Sequence, residues 1–390
     1  MPLIPLFRVL LGLVSLAVLG AAGYLIWSGW SGEIIVDVDG APRRVREEWR
    51  LRTGMALLAW SVLGRWAVTP LLARPDRDPS RPERSNGALV AGHAGSRLYV
   101  ERHGPVNGPV IVLTHGWGLD STIWGYARRD LARFQLLTWD LPGLGRSRLV
   151  GELSLETLAE NLKAVIGLAG GRPVVLVGHS IGGMIIQTLA RDHPEMFARE
   201  VAGVVLLNTT WTNPLRTMIF SPLMLALRRP LLEPMMRLAR WLQPLAWAGA
   251  WQSYLSGSAH IANRFGFGRY VTRSQLEHNT LLATRNPPGV LGRGNLAMFR
   301  WDAASALPNL IVPTLVLGGE RDIVTRAEAS RQIADTAPAG RLQVIDGVNH
   351  MGFLERADAY NAAIADFVRG LARRGEPAAV SGFAAGASAE

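Results

Sequence analysis

Hydrophobic and polar positions follow three different rhythms along this chain, and each change of rhythm marks a change of element. From Val9 to Trp30 no charged residue interrupts a run dominated by Leu, Val, Ala, Gly and Ile. At a helical rise of ~1.5 Å per residue, such a run crosses a hydrocarbon core of ~30 Å. Tyr24, Trp27 and Trp30 gather at one end, where aromatic rings favour the headgroup region. A cleaved signal peptide is the competing reading. The run exceeds a usual h-region and no clean A-x-A site follows, so an uncleaved membrane anchor over residues 1–32 is expected. A second apolar segment, Gly54 to Ala73, contains Arg65 as its single charge. It reads as a second span, as an interfacial helix with Trp60 and Trp66 at the headgroups, or as a helix packed on the domain that follows. Arg74 to Gly87 has the Pro-, Asp-, Ser- and Arg-rich composition of an exposed linker, closing a segment over residues 33–87.

Beyond that linker, short strand-like runs alternate with helix-length ones, the pattern of a parallel sheet covered on both faces. Strands are expected at Leu98–Arg102, Val110–Thr114, Leu136–Asp140, Val174–Val177 and Val201–Leu207. Helices are expected at Asp120–Ala132, at Leu155–Leu168, and from the glycines after Ser180 to about His193-Pro194. From Thr210 to about Ala306 the alternation stops. Leu, Arg, Trp, Met and Pro dominate there, giving short helices broken at Pro222, Pro230, Pro234 and Pro244. Strands return at Leu315–Leu317 and Leu342–Ile345, followed by a helix over Asp358–Arg373. The Ala-, Gly- and Ser-rich end reads as a disordered tail over residues 374–390. The division is thus a core in two parts, residues 88–210 and 307–373, around an insert at 211–306.

Where the strand Val174–Val177 ends, the chain reads Gly178-His179-Ser180-Ile181-Gly182, and a helix-length apolar segment follows. This G-x-S-x-G in strand–turn–helix context is what a nucleophile elbow requires, a tight turn that lifts the serine hydroxyl off the sheet. Gly178 and Gly182 stand where a Cβ would obstruct the turn. With 42 glycines in the chain, the pattern alone is also consistent with an ordinary glycine-rich turn.

Three further motifs, in order, make the reading specific: His115-Gly116-Trp117-Gly118, Asp140-Leu141-Pro142-Gly143-Leu144-Gly145-Arg146-Ser147, and Gly318-Gly319-Glu320-Arg321-Asp322 with Val348-Asn349-His350. With these the chain from about Ala88 to Arg373 resembles the α/β-hydrolase family. The resemblance implies an α/β-hydrolase fold: a mostly parallel twisted sheet flanked by helices, with an inserted helical cap, here preceded by an N-terminal transmembrane helix. A serine hydroxyl is a poor nucleophile until a base takes its proton and a third group orients that base. His350, just past the strand Leu342–Ile345, is the expected base, and Asp322, past Leu315–Leu317, the expected acid. The order Ser180, Asp322, His350 is the one this fold uses. Glu320 is the alternative acid, and Asn208, ending the preceding strand, is neutral. Asp140 reads as a structural turn residue. The resemblance places an oxyanion hole at the backbone N–H groups of Trp117 and Ile181. It gives His115, Gly116, Gly178 and Gly182 structural roles.

Composition adds less. Without cysteine there are no disulfides or thiolate metal sites, and no metal or other cofactor is expected. The net charge of +10 is carried almost wholly by Arg, consistent with codon bias or with affinity for anionic lipid surfaces. No zinc-finger spacing or RNA-binding signature points to nucleic acid. With one span, the Arg-rich flank favours a cytoplasmic catalytic domain; with two, the charges choose no side. The insert's Trp211, Trp241, Trp247, Trp251, Met218, Met224, Met235 and Met236 suit an apolar pocket lining, a membrane-facing surface or plain packing. The leading expectation is a membrane-anchored serine esterase, lipase-like, for lipophilic esters such as monoacylglycerols. A cofactor-free perhydrolase and a carbon–carbon bond hydrolase share the triad, and a non-catalytic binding protein shares the fold.

Overall fold

The alternating region folds into one eight-stranded sheet in the computed structural model, which describes residues 3–36 and 39–375. Its strands are β1 (Gly87–Ala91), β2 (Arg97–His103), β3 (Val110–Thr114), β4 (Gln135–Trp139), β5 (Val174–His179), β6 (Val201–Leu207), β7 (Thr314–Gly319) and β8 (Gly340–Ile345). Their spatial order is β8-β7-β6-β5-β3-β4-β2-β1. From β4 to β8 every pairing is parallel, and β1 and β2 add an antiparallel edge. Strands β3, β4, β5 and β7 are buried at every position, which is why apolar residues dominate them. β3 lies between β4 and β5, so the strand order reverses there. At such a switch point the loops beyond the strands' carboxyl ends diverge and leave a crevice.

Before the sheet, α1 (Leu3–Ser31) and α2 (Glu48–Leu72) form an antiparallel helical pair joined by a small hairpin of strands, Glu33–Val36 with Pro42–Val45. Small residues set their spacing: a Cβ on Gly29 would lie 2.8 Å from the Leu51 nitrogen. Among core helices, α3 (Leu155–Gly167) starts with a capping box of Ser154 and Thr157, and α4 (Ile181–Asp192) follows the serine. The segment Asp120–Ala132 is not one helix. It is a 3₁₀ turn, Ser121–Trp124, followed by a short helix, Gly125–Asp130, because the Asp120 side chain caps the turn at Thr122.

Between β6 and β7 the chain is helical. Its main helices are α5 (Glu233–Trp241), α6 (Gln243–Ser256), α7 (Ser258–Arg264), α8 (Arg273–Arg285) and α9 (Pro288–Met298). A β-bridge between Thr212 and Asp302 pins the two ends of this insert together. α10 (Ala357–Gly375) then closes the core, and the tail expected over 374–390 lies almost wholly outside the described residues.

The helical pair does not hang free. The first half of α1 and the second half of α2 dock on the insert, where a Cβ on Gly64 would lie 2.4 Å from the Ser256 carbonyl oxygen. Arg65, the lone charge of the second apolar segment, ion-pairs with Glu277 at 3.0 Å, and Gln252 Nε2 donates to the Ser61 carbonyl. Nor is Arg74–Gly87 a loose linker. Asp76 accepts from the Ser274 N–H, Ser80 bonds His278, and Arg84 pairs with Asp120 and Asp140, so the segment is strapped onto the catalytic domain. Its polar composition reflects these ion pairs as much as solvent.

Candidate active site

Ser180 sits between β5 and α4 with φ 53° and ψ −118°, a strained backbone for a residue with a side chain. Tight packing enforces it. A Cβ on Gly178 would fall 2.5 Å from the Gly182 carbonyl carbon, and one on Gly182 would fall 2.4 Å from the Thr114 carbonyl oxygen. The Ser180 N–H donates to Leu207 O at 3.0 Å, and Thr209 Oγ1 donates to Ser180 O at 2.6 Å. The hydroxyl is thereby held over the sheet edge, half-buried.

The loops after β7 and β8 bring the other two candidates to it. Ser180 Oγ and His350 Nε2 are 3.1 Å apart, and His350 Nδ1 lies 3.0 Å from Asp322 Oδ2. With Nδ1–H directed at the carboxylate, Nε2 is free to accept the serine proton. Both His350 and Asp322 have buried side chains. Asp322 Oδ1 also accepts from the N–H groups of Val324 and Thr325, while Oδ2 accepts from Thr325 Oγ1 and Asn208 Nδ2. Burial by itself would raise the Asp322 carboxyl. The facing His350 and these hydrogen bonds outweigh it and hold the group below its ordinary value. Glu320 takes another direction, accepting from the Gly347 N–H at 2.7 Å.

The expected structural residues surround this relay. His115 Nε2 accepts from the Leu141 N–H, and its Nδ1–H donates to Gly116 O. A Cβ on Gly116 would lie 2.5 Å from His179 Nδ1. His179 donates from Nε2 to the His350 carbonyl at 3.0 Å and packs on Phe353, and burial pushes it down to about 3, so it is neutral. Asp140 accepts from the N–H groups of Ser121 and Arg146, which closes its turn. Ile181, first in α4, has no intrahelical acceptor for its N–H. Among the described residues the Trp117 N–H likewise has no acceptor. The Trp117 indole donates to Leu291 O and lies against Gly294, where any Cβ would clash with the ring.

Asn208 is the residue whose role the sequence pattern left blank. It directly follows β6 with φ 45°, a conformation Asn tolerates better than most. Its amide clamps Asp322 from one side, and its Oδ1 accepts from Tyr360 OH at 2.7 Å. Asn349 ties the acid and histidine loops together, since its Oδ1 accepts from the N–H groups of both Ile323 and His350.

From Ser180 a cavity of about 290 Å³ opens between the sheet and the insert. Met235, Met236, Leu242 and Leu291 contribute to its largely apolar wall, and so do Val9, Gly12 and Leu13 of α1. The insert's other large residues divide. Met218 and Met224 pack in a separate small cluster with Leu215, Leu232 and Phe299. Trp211 packs on the core, Trp247 donates to Thr284 O, and Trp241 is 85% exposed with Trp251 partly so.

A strained serine at the switch point of a parallel sheet, beside a buried histidine and carboxylate, defines a serine hydrolase of the esterase type. Residues 111–363 match the alpha/beta hydrolase family, and the chain belongs to that family. It is 28% identical over 274 residues to a pimeloyl-[acyl-carrier protein] methyl ester esterase of Sodalis glossinidius, covering 66% of this chain and 92% of that one. It is also 28% identical over 297 residues to polyketide synthase ThaQ of Burkholderia thailandensis, a match covering 72% of this chain but 13% of that far longer protein. Among solved structures, a thermophilic esterase from Thermogutta terrifontis aligns with a TM-score of 0.57 at 25% identity, over 74% of this chain and 99% of that one.

Proposed function

We propose that the protein is a membrane-anchored serine hydrolase that cleaves lipophilic carboxylic esters of monoacylglycerol type through an acyl-enzyme. The observation that carries this reading is the Ser180–His350–Asp322 relay at the floor of an apolar cavity whose wall includes the exposed apolar first helix. In the first half-reaction Ser180 Oγ attacks the ester carbonyl while His350 Nε2 takes its proton. The charge that develops on the carbonyl oxygen is met by the N–H groups of Trp117 and Ile181, and each such donor contributes about 10²–10³ in rate. Asp322, kept ionised, stabilises the imidazolium. Collapse expels the alcohol, which receives the proton from His350. Water, activated by the same imidazole, then releases the acid and restores Ser180.

The membrane part of the proposal rests on α1 and α2. Protein covers 17% of the apolar window of the first and 22% of that of the second, unlike core helices. Tyr24, Trp27, Trp30 and Trp49 are exposed at the end far from the insert, and Trp60 and Trp66 nearer to it, as two aromatic belts would be. Arg65 avoids lipid by pairing with Glu277 at the docked end. Because the pair is antiparallel, both docked ends and the catalytic domain lie on one side of the bilayer.

A fluorophosphonate probe tests the chemistry on full-length protein in detergent. Wild type should be labelled and Ser180→Ala should not. Folded wild type that resists labelling would end the enzymatic reading, and release of the protein from membranes by alkaline carbonate would end the anchoring one.

A further inference from the structure

The cavity wall carries one permanently charged side chain, Arg8 of α1, and among the described residues no carboxylate lines it. Arg8 is half-buried, and its guanidinium donates from Nη2 to Thr284 Oγ1 of α8 at 3.1 Å, a neutral partner. A guanidinium is always charged and offers five donors in a planar fork that suits phosphate and carboxylate oxygens. Withdrawing it from water without an anion is unfavourable, and apolar walls such as Val9, Leu13, Leu242 and Leu245 strengthen its field inside the cavity.

Arg8 is also held in place. α1 crosses the insert with Gly12 against Gly249, where a Cβ would come 3.1 Å from the Gly249 carbonyl group, and with Ser15 Oγ at 3.1 Å and 2.9 Å from the hydroxyls of Ser256 and Ser258. The first turns of the apolar helix therefore act as a fixed wall of the pocket and not only as an anchor.

We infer that Arg8 is a specificity-determining residue, and that the preferred substrate is an anionic amphiphile ester. Its hydrocarbon lies among the Leu and Met side chains, and its phosphate or carboxylate pairs with the Arg8 guanidinium. The inference rests on the esterase reading of the same cavity and adds the charge of the ligand.

Two matched ester pairs test it with full-length protein in neutral detergent. Monodecanoylglycerol against decanoylglycerol phosphate puts the anion on the alcohol side. Methyl decanoate against the monomethyl ester of a ten-carbon dicarboxylic acid puts it on the acyl side. In wild type one anionic member should be preferred over its neutral partner, and the pair that shows this tells phosphate from carboxylate. Arg8→Ala should reduce that anionic-to-neutral ratio of kcat/KM by roughly 10- to 100-fold, the range of a charge-assisted hydrogen bond, mainly through KM. Arg8→Lys should keep most of the ratio, and Arg8→Glu should invert it.

A second measurement needs no variant: decyl phosphate or decanoate should protect Ser180 from fluorophosphonate better than decanol. Equal protection, or a ratio unmoved by Arg8→Ala, overturns the inference; a guanidinium that merely meets bilayer headgroups gives that result. No turnover of any of the four esters, together with no labelling of Ser180, instead counts against the esterase reading itself.

Discussion

Removing the Asn208 side chain tests whether the acid of the relay is held from the neighbouring strand. In the native structure the Asn208 amide donates to Asp322 Oδ2 at 3.0 Å and to Asn349 O at 3.2 Å, while its Oδ1 accepts from Tyr360 OH at 2.7 Å. Asn208→Ala deletes all three. Losing a hydrogen bond to a buried carboxylate costs about 1.5–3 kcal/mol, and leaving the Tyr360 hydroxyl buried without an acceptor costs roughly 1–3 kcal/mol more. Tyr360 is fully buried, so water does not replace the acceptor. Alanine must also adopt φ near 45° without the local hydrogen bonding that suits Asn to it, at about 1 kcal/mol. The sum is roughly 3.5–7 kcal/mol, and at about 2–4 °C per kcal/mol for a large domain Tm falls by about 7–28 °C.

Asp322 keeps its bonds from Val324, Thr325 and His350, so the relay is loosened and not abolished. Turnover should fall about tenfold, equivalent to ~1.4 kcal/mol of transition-state stabilisation. Asn208 does not line the cavity, so KM should be unchanged. Thermal unfolding in detergent and steady-state hydrolysis of a short-chain chromogenic ester measure the two effects. A variant with wild-type Tm and kcat within twofold would refute the clamp. A rise in KM without loss of kcat would show that the residue acts on substrate binding.

Two other tests concern stability and backbone packing. Burial depresses His179 to about 3 and His278 to about 4, so the unfolded chain takes up protons near pH 6.5 that the folded protein refuses. Stability is therefore complete well above that pH and falls as pH drops, by about 3 kcal/mol in total between pH 6.5 and 5. Chemical denaturation across this window checks it; a flat profile would contradict it, and His278→Asn should make the slope shallower. Gly182→Ala places a methyl 2.4 Å from the backbone oxygen of Thr114, which cannot swing aside. Overpacking there should cost 1–3 kcal/mol or more and displace Ser180, so fluorophosphonate labelling should slow at least tenfold. Gly20→Ala, with nothing within 4 Å of its Cβ, is the control that should change neither.

Much of this was legible in one dimension because the fold's chemistry is written in short local motifs. Buried parallel strands must be continuous apolar runs, so β3, β5 and β6 were marked to within two residues. The elbow needs glycine at 178 and 182 for steric reasons that hold in any context. Shared loop motifs then paired Ser180 with Asp322 and His350. Boundaries set by capping were not legible in the same way. Asp120 closes a 3₁₀ turn and interrupts what periodicity alone extends as one helix. The polar strap Arg74–Gly87 has a linker's composition, yet its ion pairs hold it down.

By itself the sequence determined the class of fold, through motifs shared with a known family, and the presence of two apolar helices, through the period of the hydrophobic pattern; it also singled out Ser180, Asp322 and His350 as the candidate relay. Tertiary structure alone decided what those helices touch. Arg65 meets Glu277 across more than two hundred residues of chain, Asn208 meets Asp322, and Arg8 enters the wall of the cavity. Contacts between segments so distant leave no periodic trace in either one, since each side chain's partner is chosen by how separate elements pack and not by its own neighbours.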